Sequence, residues 1–230
     1  MKNTVDELSK LEYFENVSVN TINEILNNSE IKKYEPGHIL FYDKEHVNII
    51  YFMISGAVSL YKINENGQKK VVFILDKGKI VNEVIFKELP ASINCEVIIE
   101  STILGIDREE LMRILKEDFN LCKNIIYSLS MKTRRMYRQL KNTPFSVKIE
   151  KRLAAKIYKL GRDYGVKCER GIVIDIDLTV TYLAELLGNP RETASRAMKI
   201  LQKNNLIIYK NKRIIIPELS ALATFFKEPW

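Results

Sequence analysis

The sequence predicts an α+β protein: an antiparallel β-roll behind short N-terminal helices, one long helix, and a small C-terminal domain of helices closed by a hairpin. Three observations carry this. Short runs rich in Ile, Val, Phe and Tyr, broken by Gly37, Gly56, Gly67 and Gly78, fill residues 31 to 106. Apolar residues at heptad spacing follow, at Leu115, Phe119, Cys122, Ile126, Leu129, Met136 and Leu140. Beyond them, two short helical patterns separated by Gly188 precede a β-rich tail.

Residues 5 to 28 read as helical, with Leu8, Leu11, Ile22, Ile25 and Leu26 available for one buried face against the roll. Within the roll, the clearest hairpin is Asn64-Glu65-Asn66-Gly67 between two alternating runs, where Asn-Gly supplies the positive φ angles of a tight turn. The heptad seam steps by four and three except at Thr133, and Lys132, Arg134, Arg135, Arg138 and Lys141 leave only a narrow apolar stripe beside it. Such a seam can pack on its own roll, but a stripe this narrow favours a second copy of the chain, across Phe119, Cys122, Ile126, Leu129, Met136 and Leu140.

Asn142-Thr143-Pro144 ends that helix, because proline disfavours helical geometry in the residue before it. The expected units are therefore a β-roll with its N-terminal helices over 1–108, a dimerisation helix over 109–142 and a C-terminal domain over 143–230. In the last, a helix over 145–164 buries Ile149, Leu153, Ile157 and Leu160, with Gly161 or Gly165 to end it. A strand over 171–176, helices over 180–187 and 191–204, and a hairpin over 206–216 complete the element order of a winged helix-turn-helix.

Charge divides the chain in the same place. Residues 1 to 130 carry 15 Lys and Arg against 20 Asp and Glu, whereas residues 131 to 230 carry 21 against 9. A half with net charge +12 suits a phosphate backbone, with an anionic membrane surface or plain solubility as the competing explanations. No run approaches the roughly 20 apolar residues needed to span a bilayer, and the N-terminal residues lack the apolar core of a secretory signal. A cytoplasmic location is expected.

The second C-terminal helix carries the chemistry. At about 100° per residue, Arg191, Glu192, Ser195 and Arg196 share its leading surface, opposite a core stripe of Ala197, Ile200 and Leu201. Arginine bonds bidentately to guanine and glutamate accepts from cytosine N4, so these four side chains are the expected base readers. A solvated face with Glu192 paired to Arg196 is the competing reading. Thr181, Thr193, Lys199, Lys210, Lys212 and Arg213 are expected on phosphates.

Cys95, Cys122 and Cys168 form no ligand-spaced pair, and His38 and His46 stand alone, so no metal site is expected. The cysteines read as small buried apolar residues. No nucleophile with its base, phosphate-cradling loop or metal cluster suggests an enzyme. The other class of function is a ligand-binding module whose basic half docks on protein or membrane.

The run GNPRETASRAMKILQKNNLI resembles the recognition-helix signature of the Crp/Fnr family of bacterial regulators, and PGHILFYDKEHVNIIYFMISGAVSLY with ENGQKK resembles its roll, a jelly roll like that of cyclic-nucleotide-binding domains. The resemblance spans residues 8 to 217 and implies a homodimer that regulates transcription, with double-stranded DNA, RNA polymerase and a small-molecule effector as partners and no membrane. It places the base-reading positions on Arg191, Glu192, Ser195 and Arg196. The two arginines and the glutamate resemble the catabolite-activator branch, with TGTGA-like half-sites, and Ser195 the oxygen-sensing branch. A pseudo-palindrome with at least one G·C pair in each half is expected.

The same resemblance argues against cyclic AMP. Cyclic-nucleotide-binding members carry Gly-Glu followed about ten residues later by Arg-Ser or Arg-Thr. Here Asn82 replaces the glycine, Glu83 is kept, and no arginine stands between Lys79 and Arg108, although Lys87 offers a charge. A buried phosphate without an arginine is costly. Asn82, Glu83, Val84, Ser92, Tyr137 and Arg138 mark the matching effector pocket, with an unidentified effector. No cysteine precedes Cys95, which argues against an iron-sulfur cluster, and haem on Cys95, His38 or His46 has no supporting motif.

Overall fold

The computed structural model describes residues 2–83, 86–141 and 147–227, with the side chains of 2–4 and 138–141 left aside. Val84 therefore lies outside the described residues, as does Asn142-Thr143-Pro144. The same holds for the side chains of Arg138 and Leu140. Two compact units emerge, residues 1–62 with 72–141, and residues 63–71 with 142–230.

The first unit opens with α1 (Lys2–Leu8), a 3-10 turn (Glu12–Phe14) and α2 (Val19–Asn27). Interruption at Leu11 and at the Ser18 cap breaks the expected helical segment into pieces. Their apolar side chains still reach the core: Leu8, Leu11, Phe14, Ile22 and Ile25 are buried and Leu26 packs beside them. The strands are β1 (Ser29–Tyr34), β2 (Ile39–Phe41), β3 (Ile49–Ile63), β4 (Lys69–Asp76) and β5 (Asn94–Asp107). They form one antiparallel sheet in the order β1-β5-β3-β4, with β2 also on β5. Gly56, at φ +81°, sits in a bulge of β3 where a Cβ would lie 2.3 Å from the Glu100 carbonyl oxygen. Only glycine fits there.

Between β3 and β4, only Gly67 adopts a positive φ, so the loop is not the two-residue turn that Asn-Gly suggests. Asn64 closes it instead, its Oδ1 accepting from the amides of Asn66 and Gln68 at 3.0 and 2.9 Å.

The heptad seam begins one helix too early. Leu115 belongs to α3 (Arg108–Leu115), capped by Asp107, and α4 (Phe119–Lys141) starts afresh after Asp118. One face of α4 buries Leu121 and Ile125 in the roll's core, with Leu129 packed against it, whereas Phe119, Ile126 and Met136 are more than half exposed. Cys122 is half-buried. Lys132, which the spacing places beside the stripe, turns into the roll.

In the second unit, α5 (Ile149–Tyr164) runs through Gly161, which is buried and does not end the helix. A Cβ there would meet Ile216 at 2.4 Å, so this glycine serves close packing. Strands β6 (Gly165–Cys168), β7 (Gly171–Ile174), β8 (Ile208–Lys210) and β9 (Arg213–Ile216) form a sheet in the order β6-β7-β9-β8. Helices α6 (Val180–Leu187), α7 (Arg191–Lys203) and α8 (Leu219–Lys227) complete the unit. Both β6 and α8 escaped the sequence reading: Val166 is exposed, which breaks the strand pattern, and α8 buries only Leu222. Cys95 is buried as expected, but Cys168 is exposed on β6.

Candidate nucleic-acid interface

Helix α6 starts at Thr179, whose hydroxyl accepts from the Tyr182 amide at 3.0 Å, and stops at Gly188 in the left-handed conformation, φ +64°. Arg152 of α5 donates to the Leu187 carbonyl at 2.8 Å, satisfying a helix-end acceptor. Arg152 lies on a different helix, 35 residues before its partner, so spacing did not reveal this role. After Pro190, whose carbonyl accepts from Thr193 and Ala194 at 3.0 and 3.2 Å, the chain turns into α7.

Ala194, Ala197, Met198 and Leu201 bury α7 in the domain core, with Leu183, Ala184 and Leu187 opposite on α6. Ile200 does not join them. It is 39% exposed, because the buried stripe runs through Ala194 and Met198. Arg191, Glu192 and Arg196 are exposed and Ser195 is half-buried. Among the described residues no side-chain hydrogen bond or ion pair engages these three charged groups, so the Glu192–Arg196 pair of the competing reading is not made. Three charged side chains therefore stand free at the helix's positive end.

The flanking groups divide. Thr181, Lys199, Lys210 and Lys212 are exposed and Thr193 is half-buried. Arg213 is engaged within the protein: its guanidinium binds Asp175 at 2.5 Å and Asp177 at 3.1 Å and so braces the wing. The two aspartates alternate along the chain facing Arg213, a signal that the sequence carried but spacing alone did not assign. Asn211 and Lys212 both take positive φ, which gives the two-residue turn between β8 and β9 its hairpin twist. The Tyr209 hydroxyl donates to the Leu178 carbonyl at 2.9 Å, and the Leu178 amide to the Lys212 carbonyl at 2.7 Å. These bonds fix the wing beside the start of α6.

Four of the six residues expected at an effector pocket have described side chains. Ser92 is exposed and Tyr137 is 67% exposed. Asn82 is buried, its Oδ1 accepting from the Tyr51 amide at 3.0 Å and its Nδ2 donating to the Ile49 carbonyl at 2.8 Å. That clamp on β3 is a structural use for the residue standing in the glycine's place. The Glu83 carboxylate is buried and taken by Ser128 and Lys132 of α4. Among the described residues no group of three His, Cys, Asp or Glu side chains is placed to hold a metal, and no helix is long and apolar enough to cross a membrane.

A recognition helix with free polar groups at its leading end, a helix packed behind it and a braced β-wing define a winged helix-turn-helix DNA-binding protein carrying a separate β-roll. Comparison with known proteins gives the same division. Residues 31–118 match the cyclic nucleotide-binding domain family and residues 151–225 the Crp-like helix-turn-helix domain family. The chain is 22% identical to a CRP-like cAMP-activated global transcriptional regulator of Mycobacterium tuberculosis, over 94% of this chain and 96% of that one. It is 25% identical to the global nitrogen regulator of a Nostoc species, over 85% and 89%. In fold it is similar to the c-di-GMP responsive global regulator of Xanthomonas campestris, with a TM-score of 0.78 and 20% identity over 87% of this chain and 100% of that one. The chain belongs to the Crp/Fnr family of DNA-binding transcription regulators.

Proposed function

We propose that this protein acts as a homodimer whose two α7 helices read the halves of a pseudo-palindromic DNA site, with Arg191, Glu192, Ser195 and Arg196 on base edges. The supporting observation is that Arg191, Glu192 and Arg196 are exposed and unpaired among the described residues while the opposite face of the same helix is buried. Lys199, Lys210 and Lys212, with Thr181 and Thr193, hold phosphates and set register. Pairing runs along the exposed Phe119, Ile126 and Met136 of α4, with Cys122 and Leu129 at its margin. Two recognition helices about 34 Å apart then meet successive major grooves.

The protein works in the cytoplasm, in contact with RNA polymerase at its promoters, and no catalytic step belongs to this reading. Cyclic AMP is not its effector: the segment between Lys79 and Arg108 supplies no arginine for the phosphate, and the Glu83 carboxylate already has two partners on α4. Iron-sulfur and haem cofactors have no ligand set in the sequence.

An electrophoretic shift series on a selected site tests the base readers. Arg191→Ala and Arg196→Ala should each lose about 1–3 kcal/mol of discrimination at one G·C position, roughly 5- to 150-fold. Retention of full sequence preference by both variants refutes the assignment.

A further inference from the structure

Inside the first unit, a charged pair joins α4 to the segment after β4. The Lys132 ammonium meets Glu83 Oε2 at 2.5 Å and donates to the carbonyls of Ile80 and Val81 at 2.8 and 3.2 Å. Ser128, one turn earlier, donates to Glu83 Oε1 at 2.8 Å. The Glu83 side chain is fully buried and that of Lys132 is 13% exposed. Every proton of the ammonium and both carboxylate oxygens thus have a partner. A charge pair survives burial on these terms, since each ion left alone would face a large desolvation cost.

The position matters. Glu83 is the acidic residue that a ligand at the roll would have to engage, and here the protein's own helix engages it. The same helix face borders a cleft of about 320 Å³ where Ser128 and Lys132 meet Lys79, Met131 and Arg135. Burial pulls the Lys132 ammonium below the usual lysine range and the facing Glu83 carboxylate opposes it.

We propose that Lys132 is a built-in ligand of Glu83 that ties α4 to the roll, so that this protein binds its DNA with no small molecule at that position. The proposal rests on the DNA-reading assignment above and specifies how the roll enters it. A small molecule that reaches Glu83 must displace Lys132, and so acts against DNA binding.

The test uses the full chain, unfolded and refolded to strip carried ligands, with three variants: Lys132→Met, Glu83→Gln and the two together. Lys132→Met leaves Glu83 buried without its cation and is the variant most at risk of failing to fold. The double variant removes both charges and is expected to keep the fold, as judged by circular dichroism. Hydrogen exchange reads the tie without DNA: amides of residues 126–136 should exchange at least tenfold faster in the double variant. Fluorescence anisotropy on the selected site should show the refolded wild type binding without additives and the double variant at least tenfold more weakly.

Unchanged exchange in the double variant overturns the tie. Wild-type binding that appears only after a metabolite extract is added overturns ligand independence. Failure of the DNA-reading assignment looks different: wild type then binds selected and scrambled duplexes equally, while the exchange comparison still decides the tie.

Discussion

Asp118 shows how a single side chain sets where two elements begin. Its Oδ1 accepts from the amides of Asn120 and Leu121 at the start of α4, and its Oδ2 from the Ser18 amide and Thr21 hydroxyl at the start of α2. Burial pushes this carboxyl up, but the four hydrogen bonds prevail and hold it below the ordinary aspartate value of 3.8. The folded protein therefore favours the ionised form. The resulting stability is fully present above the unfolded value and is lost as pH falls through the lower folded one. Asp118→Asn should cost about 1–3 kcal/mol at neutral pH. Thermal melts between about pH 6 and pH 2 should show a shallower acid decline in the variant than in wild type. The sequence displays Asp118 before an apolar run, which is cap grammar, but not that its second oxygen reaches Ser18, a hundred residues away.

Among the elements, the wing separates charges that composition treats alike. Lys210 and Lys212 are exposed, whereas Arg213 is held by Asp175 and Asp177. Lys210→Gln and Lys212→Gln should each reduce the slope of log affinity against log salt by about 1, because each removes one phosphate contact and its released counterion. Arg213→Ala should leave that slope near wild type and instead speed amide exchange in β8 and β9. Helix α7 was legible almost to the residue, since the turn glycine before it and a strong 3.6-residue period agree over 191–203. The N-terminal segment was not, because apolar residues at helical spacing do not reveal the 3-10 turn at Glu12–Phe14 that redirects the chain.

For the whole molecule, the decisive surface is the apolar stripe of α4. Phe119, Ile126 and Met136 are 75%, 55% and 51% exposed in the single chain. A charge placed at the centre of such a seam is desolvated without a partner on pairing. Ile126→Glu should therefore convert the dimer to a monomer in light scattering, with the circular dichroism of the roll unchanged. Affinity for a two-half site should fall by at least about tenfold, since linked binding of the second half is lost. A dimer that persists in this variant places the pairing surface elsewhere.

The division of charge, the long helix after the roll, and the grouping of Arg191, Glu192, Ser195 and Arg196 at the leading end of one helix were legible in the sequence alone. Each rests on local chemistry: period, cap, turn residue or spacing on one helix. The fates of Lys132, Arg213, Asn82 and Gly161 were decided only by tertiary structure. Each is a polar or minimal residue whose role depends on a group distant in sequence, respectively Glu83, the two aspartates, the β3 backbone and Ile216. A lysine flanking a heptad reads as a solvated charge until the fold brings a buried carboxylate to meet it, because desolvation and pairing are properties of the space around a side chain and not of its neighbours along the chain.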